Sequence, residues 1–247
     1  MSESPVGDSV VPRYEITQWR ADHGVVAGIT GRKGGFDIGL SSTDSMDLVL
    51  GRWRALRESL QPGFSGFVVG HQSHGTEIAT YSNQVDGLLI VEGFDGHATQ
   101  VGGLVLGVTV ADCIPVYLLD PESRAVAMLH AGWRGVAGGV LERGIERVSR
   151  LGGTPVADLL MHCGVGICGA CYEVGGDVYQ AVTGRRADGP RSLDLREALI
   201  ERARSLGVVC TSVSGWCSAH DAAHFYSHRA SAGSAGRMLA YIGWPVT

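Results

Sequence analysis

Leu104-Val105-Leu106-Gly107-Val108-Thr109-Val110-Ala111-Asp112-Cys113-Ile114-Pro115-Val116-Tyr117-Leu118-Leu119-Asp120-Pro121-Glu122-Ser123-Arg124-Ala125-Val126-Ala127-Met128-Leu129-His130 decides the fold. Leu104–Val110 and Val116–Leu119 are continuous apolar runs without polar alternation, so they predict strands covered on both faces. Pro115 lacks an N–H and is expected to break the strand where it stands. Asp120 to Ser123 is a turn by composition, and Ala125–His130 reads as the returning strand. Small residues then lead into a helix over about Gly135–Arg150. Val136, Val140, Leu141, Ile145 and Val148 form its apolar stripe, and Gly152, Gly153 and Pro155 end it.

Outward from this block, strands and helices mix without regular alternation. Val25–Thr30, Phe67–Val69, Ile78–Tyr81, Gly87–Val91, Leu159–Cys163 and Val208–Val213 read as strands. Leu48–Leu60, Gly176–Thr183 and Leu195–Leu206 have helical spacing, and Ala235–Tyr241 reads as a weak terminal helix. The pattern favours an α+β fold with no interior linker, preceded by a loose arm over residues 1–13.

The chain has 247 residues, enough to bury a large core, and 45% hydrophobic against 18% charged residues excludes global disorder. A formal net charge of -5 without a basic block argues against nucleic acid as a partner. No apolar run has the length of a membrane span, and residues 1–13 lack the charge and apolar core of a secretory signal. A cytoplasmic protein with reduced thiols is the expectation, as a monomer or weak dimer. Glycine, at 37 residues, is about twice its usual ~7% share and is spread through apolar segments, which reads as tight turns and close backbone approaches.

Three segments carry candidate chemistry. His71-Gln72-Ser73-His74-Gly75 follows an apolar strand. Ala111-Asp112-Cys113-Ile114-Pro115-Val116 ends another, with Asp112 a candidate acceptor to orient a neighbouring imidazole. Leu129-His130-Ala131-Gly132-Trp133-Arg134-Gly135 lies between a strand and a helix. Two histidines and one cysteine at strand ends make a His₂Cys set, and three protein ligands with one open position is the usual form of catalytic zinc. Each residue alone fits an ordinary buried or turn position, and their separation along the chain does not show that they converge. Cys163, Cys168 and Cys171 form a rival cluster, with Cys168-x-x-Cys171 as a half-site. No matching second half stands out, so neither a disulfide nor a second metal site is expected there. Cys217, His220, His224 and His228 form a further rival, read as a loop leading to a strand. Arg32, in Thr30-Gly31-Arg32-Lys33-Gly34-Gly35, lies in a glycine turn suited to an anion but does not match a nucleoside-triphosphate loop.

His71-Gln-Ser-His74-Gly, Ala111-Asp-Cys113-Ile-Pro-Val, His130-Ala-Gly-Trp-Arg-Gly, Cys171-Tyr-Glu-Val-Gly and Phe225-Tyr-Ser-His-Arg229 occur in order. Together they resemble the bacterial polyphenol oxidase/laccase-domain family of the YfiH/LACC type, also called a purine nucleoside phosphorylase family, from about Val25 to Ile242. The resemblance implies a single α+β catalytic domain over residues 14–247, with mixed β-sheets flanked by helices, and one zinc held by His74, Cys113 and His130. It implies phosphorolysis of adenosine, inosine, guanosine and methylthioadenosine, and hydrolytic deamination of adenosine. Older labels in the family imply a copper laccase instead, and a thiolate suits either metal. A non-catalytic partner-binding domain is a third alternative. Purine nucleoside and phosphate are the expected partners. Arg32 and Arg229, then Arg52, are the candidates for phosphate, both of the first two facing one pocket with Cys113. His71 is placed near the site without being a ligand, and Asp86 is a candidate ribose or base contact. The loop Gly164-Val-Gly-Ile-Cys168-Gly-Ala170-Cys171 departs from the family's proline-bearing form. Gly51 stands where an asparagine is usual, and the Ser-Leu-Asn-Leu-Gly element is reduced to Asp37-Ile-Gly-Leu. These departures touch the substrate rim more than the metal.

Overall fold

A computed structural model describes residues 2–6, 10–40 and 42–246. Its seven-stranded sheet runs in the order Ser4–Pro5, Arg13–Glu15, Val26–Thr30, Met238–Gly243, Leu104–Val110, Gly66–His71, Gly87–Glu92. The six-stranded sheet runs Cys210–Val213, Leu160–Cys163, Ile114–Leu119, Val126–Ala131, Gly96–Thr99, Ile78–Tyr81. Both mix parallel and antiparallel pairs, as the α+β reading requires.

The two sheets pack face to face between outer helices, and strand alternation sorts the side chains. Val68 and Leu106 face inward with Tyr117, Val126 and Met128 of the opposite sheet. Phe67, Val69 and Val105 point outward, against Val49, Trp53 and Leu56 of the helix Met46–Ser59. Beyond the second sheet, Val116, Leu118 and Leu129 meet Val140, Leu141, Ile145 and Val148 of the helix Val140–Gly152. Strands covered on both faces need no polar side, which is why the central runs carry none. Burying each of these side chains stabilises the fold by about 1.5–3 kcal/mol.

Several expectations are corrected. The stretch expected as a terminal helix ends in the strand Met238–Gly243, whose six residues are all buried between two antiparallel neighbours. Ile114–Leu119 continues through Pro115, whose carbonyl accepts the Gly164 N–H at 2.8 Å. The helix after His130 is broken: Trp133–Gly138 and Val140–Gly152 meet at Gly139, which has φ 91°. A short helix, Thr17–His23, forms where none is expected. The described part of residues 1–13 is not loose. Ser4–Pro5 pairs with Tyr14–Glu15, and Glu3 is buried with its carboxylate on Ser214 Oγ at 2.5 Å and His162 Nε2 at 3.2 Å. A carboxylate is buried only with such partners, and here they come from the distant strand Leu160–Cys163 and from the residue just past Cys210–Val213.

Candidate metal centre

The parallel strands Gly66–His71 and Leu104–Val110 lead into the segments with His74 and Cys113, and Val126–Ala131 carries His130 as its penultimate residue. These ends converge. His74, Cys113 and His130 each offer one donor atom, and the three atoms lie within 4.8 Å of one another. The imidazoles of His74 and His130 stand edge to face with centroids 4.9 Å apart. His74 has φ 60° and Asp112, just before Cys113, has φ 91°. Side-chain-bearing residues rarely adopt that left-handed region, and such strain persists only where surroundings over-determine it.

Asp95 supplies much of that determination. This fully buried carboxylate accepts the backbone N–H groups of Ser73 at 3.1 Å, His74 at 3.0 Å and Gly75 at 2.7 Å, and the Ser73 hydroxyl at 3.0 Å. It also takes His130 Nδ1 at 2.8 Å, leaving Nε2 for the centre. One side chain therefore shapes the His74 loop and orients the His130 ring. Asp112 does not have the orienting role expected of it: its carboxylate accepts the Ser218 hydroxyl and the Arg229 N–H, both at 2.6 Å. Gln72 ties the His74 loop to the neighbouring strand Leu104–Val110 through Thr109, donating to its carbonyl at 2.7 Å and accepting its N–H at 3.1 Å.

The electrostatics suit a cation. Burial works to raise the Cys113 thiol, but His130 and His74 outweigh it and bring it down to about 6. Burial opposes a charged His130, while the Cys113 charge and the Asp95 hydrogen bond lift it to about 9. Burial likewise opposes the Asp95 carboxylate, yet hydrogen bonds from His130, Gly75 and Ser73 hold it at about 2. A thiolate already has a positive partner, the place a metal ion takes when the imidazolium loses its proton. Space is kept for it as well. A Cβ at Gly132 would lie 3.0 Å from Cys113 Sγ and 3.1 Å from His74 Cδ2, so only glycine leaves the donors uncrowded. The residues present fit a three-ligand metal centre with an open side.

That side opens into a cavity of about 820 Å³, within the usual range for small-molecule sites. Arg134, Arg229 and Arg237 line it, with Trp133, Tyr172 and His71. Arg134 lies over the Trp133 ring at 4.4 Å and Arg229 over Tyr172 at 5.0 Å. Arg229 Nη1 also donates to the Glu173 carbonyl at 2.9 Å. His71 lines the cavity outside the donor group, with Nδ1 2.7 Å from Glu92 Oε2.

Of the other predicted contacts, only Arg229 reaches this cavity. Arg32 is not among its lining residues: it donates to the Ala222 carbonyl at 2.9 Å and stacks on Tyr226. Arg52 is bound to the Asp37 carbonyl and the Asp44 carboxylate. Asp86 is exposed, just before the strand Gly87–Glu92, whose opposite end carries Glu92 to the cavity. Sequence reasoning missed Asp95, Arg134 and Arg237. Arg134 lies inside the His130-Ala-Gly-Trp-Arg-Gly motif and was the most readable of them. The Cys168 cluster, read without a second half, meets Cys217 and His220.

Fold and site define a two-sheet α+β domain with a Cys/His group suited to a metal beside a cavity lined by arginines and aromatic rings. The chain belongs to the family described as multi-copper polyphenol oxidoreductase laccase, whose sequence profile matches residues 21–245. It is 39% identical over 179 residues to a Deinococcus radiodurans protein named purine nucleoside phosphorylase, covering 66% of this chain and 69% of that one. It is 32% identical over 194 residues to a protein of an unknown prokaryotic organism named adenosine deaminase RL5, covering 71% of this chain and 74% of that one. The crystal structure of YlmD from Geobacillus stearothermophilus matches with a TM-score of 0.89 at 28% identity, over 98% of this chain and 99% of that one. No helix among the described residues is long and apolar enough to cross a membrane.

Proposed function

We propose that this chain is a zinc-dependent purine nucleoside enzyme of the cytoplasm, active as a monomer or weak dimer. It cleaves adenosine, inosine, guanosine and methylthioadenosine with phosphate and deaminates adenosine with water. The names of the relatives support the substrate class. The observation that carries the reading is a three-donor centre open to a cavity that also presents three guanidinium groups. His74, Cys113 and His130 hold the ion, and zinc supplies a Lewis acid that lowers the pKa of water to about 7.

In deamination, water adds to the purine C6 and ammonia leaves, so a proton must pass from nucleophile to leaving group. His71 donates Nδ1–H to Glu92, which leaves Nε2 at the rim to accept and return it. In phosphorolysis, phosphate attacks the ribose C1′ and the base departs with the bonding electrons. Arg134, Arg229 and Arg237 bind phosphate oxygens, and their planar forks suit that task. Tyr172 and Trp133 stack beneath two of these guanidiniums and limit their rotation.

A copper oxidoreductase of phenols would need several coppers within electron-transfer reach, whereas among the described residues one donor group opens to this cavity. The experiment is a nucleoside assay with and without phosphate, with free base, ribose 1-phosphate and inosine separated by chromatography. Base release that requires phosphate and disappears in Cys113→Ala supports the reading. Absence of turnover of every purine nucleoside by zinc-loaded protein, with phenol-dependent oxygen uptake by the copper form, overturns it.

A further inference from the structure

A second cluster lies outside the cavity. Cys168, Cys171, Cys217 and His220 each offer a donor atom, and all four atoms lie within 4.8 Å of one another. They come from two half-sites, Cys168-Gly-Ala-Cys171 and Cys217-Ser-Ala-His220, one with two thiols and one with a thiol and an imidazole. We propose that these four residues hold a zinc ion in a closed structural site that clasps the loop before Tyr172 to the loop before Arg229.

The geometry is that of a tetrahedral edge set. With Zn–S near 2.3 Å and Zn–N near 2.0–2.1 Å, a sulfur and a nitrogen on one tetrahedron stand ~3.6 Å apart. Cys168 Sγ and His220 Nδ1 are 3.5 Å apart. Backbone N–H groups point at two of the three sulfurs. The Cys168 N–H donates to Cys217 Sγ at 3.3 Å, across the two halves. The Ala170 and Cys171 N–H groups lie against the Cys168 sulfur, as the turn Gly169–Cys171 brings them round it. Asp221 fixes the other half by accepting the Cys217 N–H at 2.8 Å, and its own N–H returns to the Cys217 carbonyl at 2.8 Å. Gly166 and Cys217 form a parallel bridge that sets the two loops in register. Four protein ligands leave no open position, so this site is for holding loops rather than for reacting with substrate.

What it holds adjoins the first centre. Ile167 donates its N–H to the Asp112 carbonyl at 2.9 Å, and Ser218 and Arg229 occupy the Asp112 carboxylate. Both loops therefore lean on the left-handed turn that presents Cys113. Past the clasp they deliver Tyr172 and Arg229, stacked on each other, to the cavity wall. The second zinc keeps that wall and that turn in place. Its effect on turnover rests on the nucleoside reading above; its existence does not.

The test is zinc per chain by elemental mass spectrometry in protein purified without added metal or chelator. Two are expected in the wild type, one in a His74→Ala, Cys113→Ala, His130→Ala variant and one in a Cys171→Ser, His220→Ala variant. The last should also melt at lower temperature. If it fails to fold, cobalt loading of the cavity-site triple variant replaces it, and thiolate-to-cobalt charge transfer with tetrahedral visible bands is the expected signature. If only the cavity reading is wrong, the count still falls with the Cys171→Ser, His220→Ala change, which tells the two failures apart. A count unmoved by that change, no cobalt signature in the triple variant, or a disulfide among Cys168, Cys171 and Cys217 in freshly prepared protein overturns the proposal.

Discussion

Asp95→Asn tests whether one buried carboxylate organises the metal centre. The substitution keeps the volume but replaces one acceptor oxygen with an NH₂ group. In the wild type, Oδ2 accepts from Ser73 N, Ser73 Oγ and Gly75 N, while Oδ1 accepts from His74 N and His130 Nδ1. Whichever way the amide is turned, a donor faces two or three donors, and the charge is gone. Hydrogen bonds to a charged group contribute about 1.5–3 kcal/mol each. They do not add within one network, so the loss of two sets the scale, about 3–5 kcal/mol of stability. For a chain of this length that lowers Tm by roughly 6–20 °C. Part of the loss appears at the centre, because a neutral amide no longer orients His130: zinc affinity should fall about 10–100-fold. Competition with a chromophoric chelator reads the affinity and calorimetry reads Tm, both on the same preparation. Affinity within twofold of wild type together with an unchanged Tm refutes the account.

Two further outcomes follow from residue placement and burial. Arg229→Ala should raise KM for phosphate at least tenfold while Arg32→Ala leaves it within twofold, because only Arg229 lines the cavity; steady-state kinetics at varied phosphate decides, and the reverse order rejects the anion assignment. His97 is buried with Nδ1 on the Tyr81 hydroxyl at 3.0 Å and no partner for Nε2 among the described residues, and burial lowers its pKa from an ordinary 6.5 to about 4. Between those values the unfolded chain holds the extra proton, so stability from this group is complete above pH 6.5 and falls by about 1.4 kcal/mol per pH unit toward pH 4. Urea unfolding at pH 7, 6 and 5 should show that slope diminished in His97→Leu, and identical slopes in the two proteins count against it.

The local chemistry of this protein is legible in its sequence because it is carried at strand ends. Glycine and proline signals place His74, Cys113 and His130 where apolar runs stop, and a strand end is where a rigid backbone can present a side chain to a cavity. The motif order then marks the family. Long apolar runs also announce strands buried on both faces, but the same property hid one of them. Met238–Gly243 has every residue buried, so it shows neither alternation nor helical spacing by which to choose. What only the tertiary structure decided is which distant groups share one place. Asp95 looks like a turn residue in Gly93-Phe94-Asp95-Gly96, and its partners arrive from segments 20 to 35 residues away. Arg32 and Arg229 look alike as loop arginines, yet one turns to a carbonyl outside the cavity and the other lines it. Cys168 meets Cys217 across 49 residues because a parallel bridge aligns their loops. Periodicity and turn chemistry are short-range, set by backbone sterics and by one layer of burial. Convergence depends on how two twisted sheets pack, and no single stretch of chain contains that information.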